Sequence, residues 1–238
     1  MIKNAILYYT STSKYPANHQ SITANIMGTW SLVLIHWTLY FVIEFVIIAL
    51  LHNIGLLHEP DFKLKLNSNL TTNLLETGLI IPIIEEIVFR QWLIYSRFNV
   101  ALPVSVLSCT LIHKALHYRH ISLTDNIIIW CVAILTATAI YYLINSCLKK
   151  ITYHIEGFWK RNQRAIVIFS ALLFGYLHIG NYMITANLIL FSPIVLGTYL
   201  IAGFLTGYLR VQYGFVYNCL FHITTNSSVL LLKYVLKH

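Results

Sequence analysis

Charge is scarce in this sequence. Only 8 Asp and Glu and 16 Lys and Arg stand among 238 residues, 10% in all, against roughly 25% in an ordinary soluble domain. Proline and glycine are thin too, at 5 and 10 residues. There is no Gly-, Pro- or Ser-rich linker, no low-complexity tract and no internal repeat, so the chain reads as one domain, 1–238, with a polar segment 1–29 and a core of about 74–232. The 4 cysteines, Cys109, Cys131, Cys147 and Cys219, form no C-x-x-C pair and lie within or at the ends of apolar runs; neither a zinc site nor a disulfide framework is indicated. The first twenty-odd residues carry Lys3 and Lys14 but no apolar core and no small-residue cleavage site. No cleavable signal is expected, and the first span serves as an uncleaved membrane signal.

What is present is hydrophobic: 58% of residues and a mean hydropathy of +0.69. A soluble chain of this size needs far more polar surface to cover its core, so the sequence predicts a multi-pass integral membrane protein, in the plasma membrane if bacterial. In lipid each backbone polar group must be satisfied internally, and the spans are read as an all-α polytopic bundle. Apolar segments near 30–51, 74–95, 99–116, 126–148, 164–183, 186–209 and 214–235 give about seven transmembrane helices, within a range of six to eight. Pro103 and the crowding of Lys114 and His117 make 99–116 a short or re-entrant candidate. The segment 51–71 reads as a loop or interfacial helix.

The net charge of +8 does not point to nucleic acid, because no basic stripe is interleaved with exposed aromatics. Lys149, Lys150, Lys160, Arg161 and Arg164 instead gather between two apolar runs, and the positive-inside rule sets them as a cytoplasmic loop. Seven spans then put the N-terminus inside and the C-terminus outside, with Lys233 and Lys237 on the less favoured side. The 16 tyrosines and 5 tryptophans suit an interfacial aromatic belt. The partners expected are membrane lipid and a membrane-associated protein or peptide substrate.

An ionisable side chain at bilayer depth costs about 2.5–3.5 kcal/mol on insertion scales, and marks a functional position by default. Several occur. In Ile84-Glu85-Glu86-Ile87-Val88-Phe89-Arg90, Glu86 and Arg90 are four apart on one helix face, with the acid on the N-terminal side, the favourable order for a pair. Glu85 is rotated about 100° from Glu86, with no cation three or four positions away. A carboxylate desolvated in this way has a raised pKa and can take a proton from water. The plainer reading is that all three only tie helices together. Phe174-Gly175-Tyr176-Leu177-His178 puts an imidazole in a second apolar run, and His222-Ile223-Thr224-Thr225-Asn226 puts an imidazole and an amide on one face of a third. Singly, each motif is more often a helix-to-helix hydrogen bond. Together, a carboxylate, two imidazoles and a carboxamide suit water activation and oxyanion stabilisation, which is peptide-bond hydrolysis.

The ordered set EExxxR, FxxxH and HxxxN resembles the CPBP or Abi family of intramembrane proteases, which includes the CAAX prenyl endopeptidases. Pro82 before the carboxylates agrees, as does the run Gly203-Phe204-Leu205-Thr206-Gly207-Tyr208-Leu209-Arg210 followed by Gly214. The resemblance implies that Glu85 and His178 activate the water, that His222 and Asn226 hold the oxyanion, and that Glu86 and Arg90 brace the helix. It also implies that no cofactor is required, or else that Glu85, His178 and His222 hold a divalent metal such as zinc; the H-E-x-x-H of zincins is absent. The long interval between Arg90 and Phe174 departs from the family pattern and bears on substrate access. The alternatives are a non-catalytic or self-immunity member of the same family, or a transporter with a charge relay; no repeat halves support the latter.

Other ionisable residues read as structural. His113-Lys114-Ala115-Leu116-His117 suits a helix end at the membrane interface, followed by Tyr118, Arg119 and His120. Glu44 calls for a partner on another helix, since His36 in its own span is a poor angular match. Glu76 reads as interfacial.

Overall fold

The structure, a computed structural model, describes residues 2–10, 21–56, 69–116 and 123–237. Every regular element among them is helical: α1 (Ile2–Thr10), α2 (Ile22–Phe41), α3 (Ala49–Asn53), α4 (Leu70–Asn73), α5 (Ile81–Arg90), α6 (Arg97–Leu116), α7 (Leu123–Leu177), α8 (Ala186–Val195), α9 (Gly197–Gln212) and α10 (Phe215–Lys237). Two π-helical stretches, Val42–Ile48 and Leu74–Ile80, carry α2 into α3 and α4 into α5 without a break, and 3-10 turns follow at Gln91–Leu93 and His178–Asn181.

Among the described residues four helices are long and apolar enough to cross a bilayer: Ile22–Asn53, Arg97–Leu116, Asn126–Asn181 and Phe215–Val235. A fifth is the pair Ala186–Val195 and Gly197–Gln212, if its 40° bend lies within one span. Two expectations account for the difference from seven. The basic stretch 149–164 is not a loop: it lies inside α7, a single helix of 55 residues. Between Leu123 and Leu177 there is no proline and only Gly157 and Gly175, and Glu156 pairs with Lys160 at 2.6 Å one turn on. Charge governs which side of a membrane a segment prefers; it does not break a helix. The stretch 74–95 is helical through Arg90, but Glu76, Glu85, Glu86 and Arg90 keep it outside the apolar criterion.

The bend between α8 and α9 has local causes, Pro193 inside α8 and Gly197 at the start of α9. Gly214, at φ +106°, makes the turn into α10, with its N–H on the carbonyl of Leu209 at 3.0 Å; a left-handed residue ending a helix is a position suited to glycine. Residues such as Leu135, Leu190 and Val235 are exposed, as side chains facing acyl chains are.

Two compact units are formed, Met1–Ile83 with Arg164–His238, and Ile84–Gln163. In the first, α10 packs against α2, α9 and the π-helical Leu74–Ile80, α8 packs on α9 and on Val42–Ile48, and α1 packs on α9. Tyr9 donates to the carbonyl of Phe204 at 2.6 Å. Two backbones meet closely here. A Cβ at Gly203 of α9 would stand 2.8 Å from the carbonyl oxygen of Ala171 in α7, and one at Gly175 would meet Leu200. This is the small-residue seam by which helices associate in lipid.

In the second unit α6 packs on the 3-10 turn Gln91–Leu93. Gln91 donates to Asn99 and Asn99 to the carbonyl of Ile94, both at 2.8 Å. Trp159 donates its indole N–H to the carbonyl of Trp92 at 2.9 Å. His113, in the last described turn of α6, stacks on Trp130 with ring centroids 3.9 Å apart. His117, Tyr118, Arg119 and His120, and most of 51–71, lie outside the described residues. Glu44, on the π-helical stretch after α2, lies within electrostatic reach of Lys233 of α10. Glu76 is exposed.

Candidate active site

The carboxylates belong to the Ile84–Gln163 unit. On α5, Glu86 Oε2 and Arg90 Nε stand 3.9 Å apart with both side chains fully buried, the pair that i, i+4 spacing predicts. Arg90 closes α5, where the C-terminal end of the helix favours a cation, and its guanidinium lies 6.0 Å from the Phe89 ring. Removing one member of such a pair leaves a charge in low dielectric, far costlier than losing a surface bridge. Glu85, one position earlier, is half-buried.

The imidazoles and the amide belong to the other unit. The structure brings His178 and His222 to one aromatic ring, that of Phe174. Its centroid is 4.6 Å from His178 and 5.6 Å from His222, both edge-on. His222, on α10, is buried. His178 opens the 3-10 turn after α7 and is half-buried. Its Nδ1 is 2.7 Å from the carbonyl oxygen of Phe174. A carbonyl only accepts, so Nδ1 carries a proton, and in the neutral imidazole Nε2 keeps the lone pair. The Phe of FxxxH therefore acts twice: its ring spaces two imidazoles and its carbonyl sets a tautomer.

Asn226 is one turn along α10 from His222. Its amide nitrogen donates to the carbonyl of Thr77 at 3.4 Å, and the neighbouring Ser227 hydroxyl donates to that of Gly78 at 3.3 Å. The cause lies in Pro82. At the end of the π-helical stretch, Ile81 N–H reaches back to Glu76, and the next donor in that register, for Thr77, would be residue 82, which has no N–H. The α-helical partner of Gly78 would be the same missing group. Pro82 thus withholds the donor that either carbonyl would have used, and two adjacent side chains of α10 donate to them instead. An amide nitrogen has two hydrogens, and the Thr77 bond uses one.

Sequence spacing missed two residues. His36 of α2 is buried, with Nε2 3.3 Å from the carbonyl oxygen of Thr198 and its ring edge-on to Phe221 at 5.6 Å. Tyr199 of α9 stacks on His178, with centroids 4.2 Å apart and planes 23° from parallel. Their partners sit on other helices, so no interval within one segment could reveal them; a polar side chain in an apolar run was the available signal.

Among the described residues no group of three or more His, Cys, Asp or Glu is arranged to hold a metal ion.

No curated protein and no solved structure matches the chain. Residues 143–228, little more than a third of the chain, match the family model described as Rce1-like, type II CAAX prenyl endopeptidase Rce1-like. That interval holds His178, His222 and Asn226 and begins after Glu85, Glu86 and Arg90, and the match supports the CPBP or CAAX protease family for this chain.

Proposed function

We propose that the chain is an intramembrane endopeptidase that hydrolyses a peptide bond of a membrane-associated protein or peptide. The observation that carries the reading is the Phe174 arrangement: His178 with Nδ1–H on a carbonyl and Nε2 as its basic nitrogen, and His222 on the same ring. The family match over the residues that bear both supports it.

In this reading Glu85 and His178 take a proton from water as its oxygen attacks the scissile carbonyl carbon. His222 and the second amide hydrogen of Asn226 donate to the oxyanion that forms. The tetrahedral intermediate collapses by breaking the C–N bond, and the proton held by the base passes to the departing amine. Glu86 and Arg90 brace the helix behind Glu85. No step calls for a cofactor. The helical stretch 70–90 is taken as a further span, which with the four helices and the bent pair makes six, the lower end of the expected six to eight.

The test is comparison of membrane peptides by mass spectrometry from cells carrying wild type or Glu85→Gln. Peptides with a new terminus in wild type alone identify the substrate. Identical peptide sets from cells producing equal amounts of both proteins would refute the reading.

A further inference from the structure

His178 stands where a helix loses its own support. It follows the last residue of α7, and the hydrogen bonds of an α-helix run out over the final turn. The Nδ1 bond to Phe174 holds one corner of the ring at 2.7 Å, and the Phe174 ring stands edge-on to it at 4.6 Å, but neither lies against its face. A flat surface against that face would define its plane.

Tyr199 supplies a flat surface. It is the third residue of α9, just past the bend at Leu196, and its ring lies nearly parallel to the imidazole at 4.2 Å. Tyr199 is itself held, since its side chain hydrogen-bonds that of Tyr182, which is buried among Leu188, Val195 and Leu196. Tyr182 also closes the turn that carries His178, its N–H donating to the carbonyl of Ile179 at 3.1 Å. The two tyrosines thus grip that turn from the ring side and the backbone side. The preceding residue, Thr198, takes the His36 contact through its carbonyl, which ties the start of α9 to α2. The close approach of Gly175 to Leu200 sets the height at which His178 and Tyr199 meet.

We propose that Tyr199 is a positioning residue for His178: its stacked ring fixes the imidazole plane, and the Tyr182 bond fixes the ring of Tyr199. The assignment rests on His178 acting as the base. When His178 takes a proton from water, the face of a phenol ring also stabilises the imidazolium better than an aliphatic side chain can. Tyr199 touches no reacting atom, so it acts on the rate through His178 alone.

The test uses full-length protein in detergent micelles with ¹⁵N-labelled histidine, the His178 signals being assigned by their loss in His178→Ala. Wild type is expected to show His178 as one tautomer, protonated at Nδ1. Tyr199→Phe, which keeps the ring and loses the Tyr182 bond, should keep that signature. Tyr199→Leu should give averaged or split signals. With a quenched fluorescent farnesylated CAAX-type peptide as probe, kcat should fall about 10- to 100-fold in Tyr199→Leu, the scale of a misplaced catalytic group, while KM stays within about twofold and Tyr199→Phe restores most of kcat. Should Tyr199→Leu fail to fold, Tyr199→Met replaces it, and Tyr182→Phe, which removes the same hydroxyl bond as Tyr199→Phe, should lower kcat no more than Tyr199→Phe does. A sharp Nδ1–H signature in folded Tyr199→Leu or Tyr199→Met, or a wild type already averaged between tautomers, overturns the proposal. The spectra read His178 whether or not the probe is cleaved, so failure of the protease reading is separable from failure of the stack.

Discussion

The amide nitrogen of Asn226 lies 3.4 Å from the carbonyl oxygen of Thr77, a carbonyl that lost its π-register partner to Pro82. One side chain of the HxxxN motif is therefore engaged by the helical stretch that leads into the carboxylates before any substrate arrives. Two neighbours on α10 can then be told apart. Ser227→Ala removes only the Gly78 bond and should cost about 0.6 kcal/mol, the average for interhelical hydrogen bonds in a membrane protein, with turnover unchanged. Asn226→Ala loses an oxyanion donor as well and should lower kcat by about 10²- to 10³-fold. Thermal unfolding in detergent beside turnover separates them; equal turnover in the two variants would remove Asn226 from the oxyanion role.

Glu85→Gln, His178→Ala and His222→Ala should each reduce hydrolysis by about two orders of magnitude or more while the protein still inserts, because each removes a group acting on water or oxyanion. Membrane abundance and turnover are measured together. Wild-type turnover in purified Glu85→Gln would disprove its assignment.

Arg90→Ala should fail differently. It strands Glu86, whose side chain is fully buried, and removing one partner of a buried pair costs about 3–5 kcal/mol. Abundance should fall before any clean catalytic defect can be measured, and the swap Glu86→Arg with Arg90→Glu should restore part of it. Unaltered thermal stability of Arg90→Ala would contradict the brace.

Two glycines of one helix should respond with opposite signs. Gly157, in mid-α7, has nothing within 4 Å of an added Cβ, and Gly157→Ala should stabilise by about 0.5–1 kcal/mol on helix propensity. Gly175 faces Leu200, with its Cδ2 at 2.5 Å and its Cα at 3.0 Å, and Gly175→Ala should destabilise by about 1–3 kcal/mol through overpacking. Unfolding temperatures of the two variants settle the ordering.

With a glutamate-based mechanism, hydrolysis should survive exhaustive chelation. The two histidines come from different helices, and neither stands in a familiar zinc motif. Activity lost with tightly bound stoichiometric zinc, and regained on its return, would reverse this expectation.

Local spacing was the legible part of the sequence. Glu86 and Arg90 share a helix turn, so i, i+4 periodicity alone gave their ion pair. The 55-residue run of α7 was not legible, because a cluster of five cations reads as a loop when hydropathy is the guide, although Gly157 is the one residue between those cations that markedly weakens a helix. The π-helical stretch before α5 was hidden for another reason. Pro82 announces a missing donor, yet which carbonyls it frees, and which side chains answer them, depends on α10, more than 130 residues away in sequence. Tyr199 and His36 were hidden in the same way.

The seam between Gly203 and Ala171 bears on how this protein tolerates change. Where side chains separate neighbouring helices, a swapped rotamer can absorb a substitution or a softer solvent. At the seam backbone meets backbone, and there is no rotamer to adjust. The height of α9 against α7 is consequently an all-or-none quantity, and it is shared by His178 and Tyr199, one at each side of that contact. Lipid-facing positions such as Leu135 and Leu190 can drift through evolution or be exchanged for detergent contacts at little cost. The few small residues beneath the imidazole cannot, and mutational scans should find them as intolerant as the motif residues themselves.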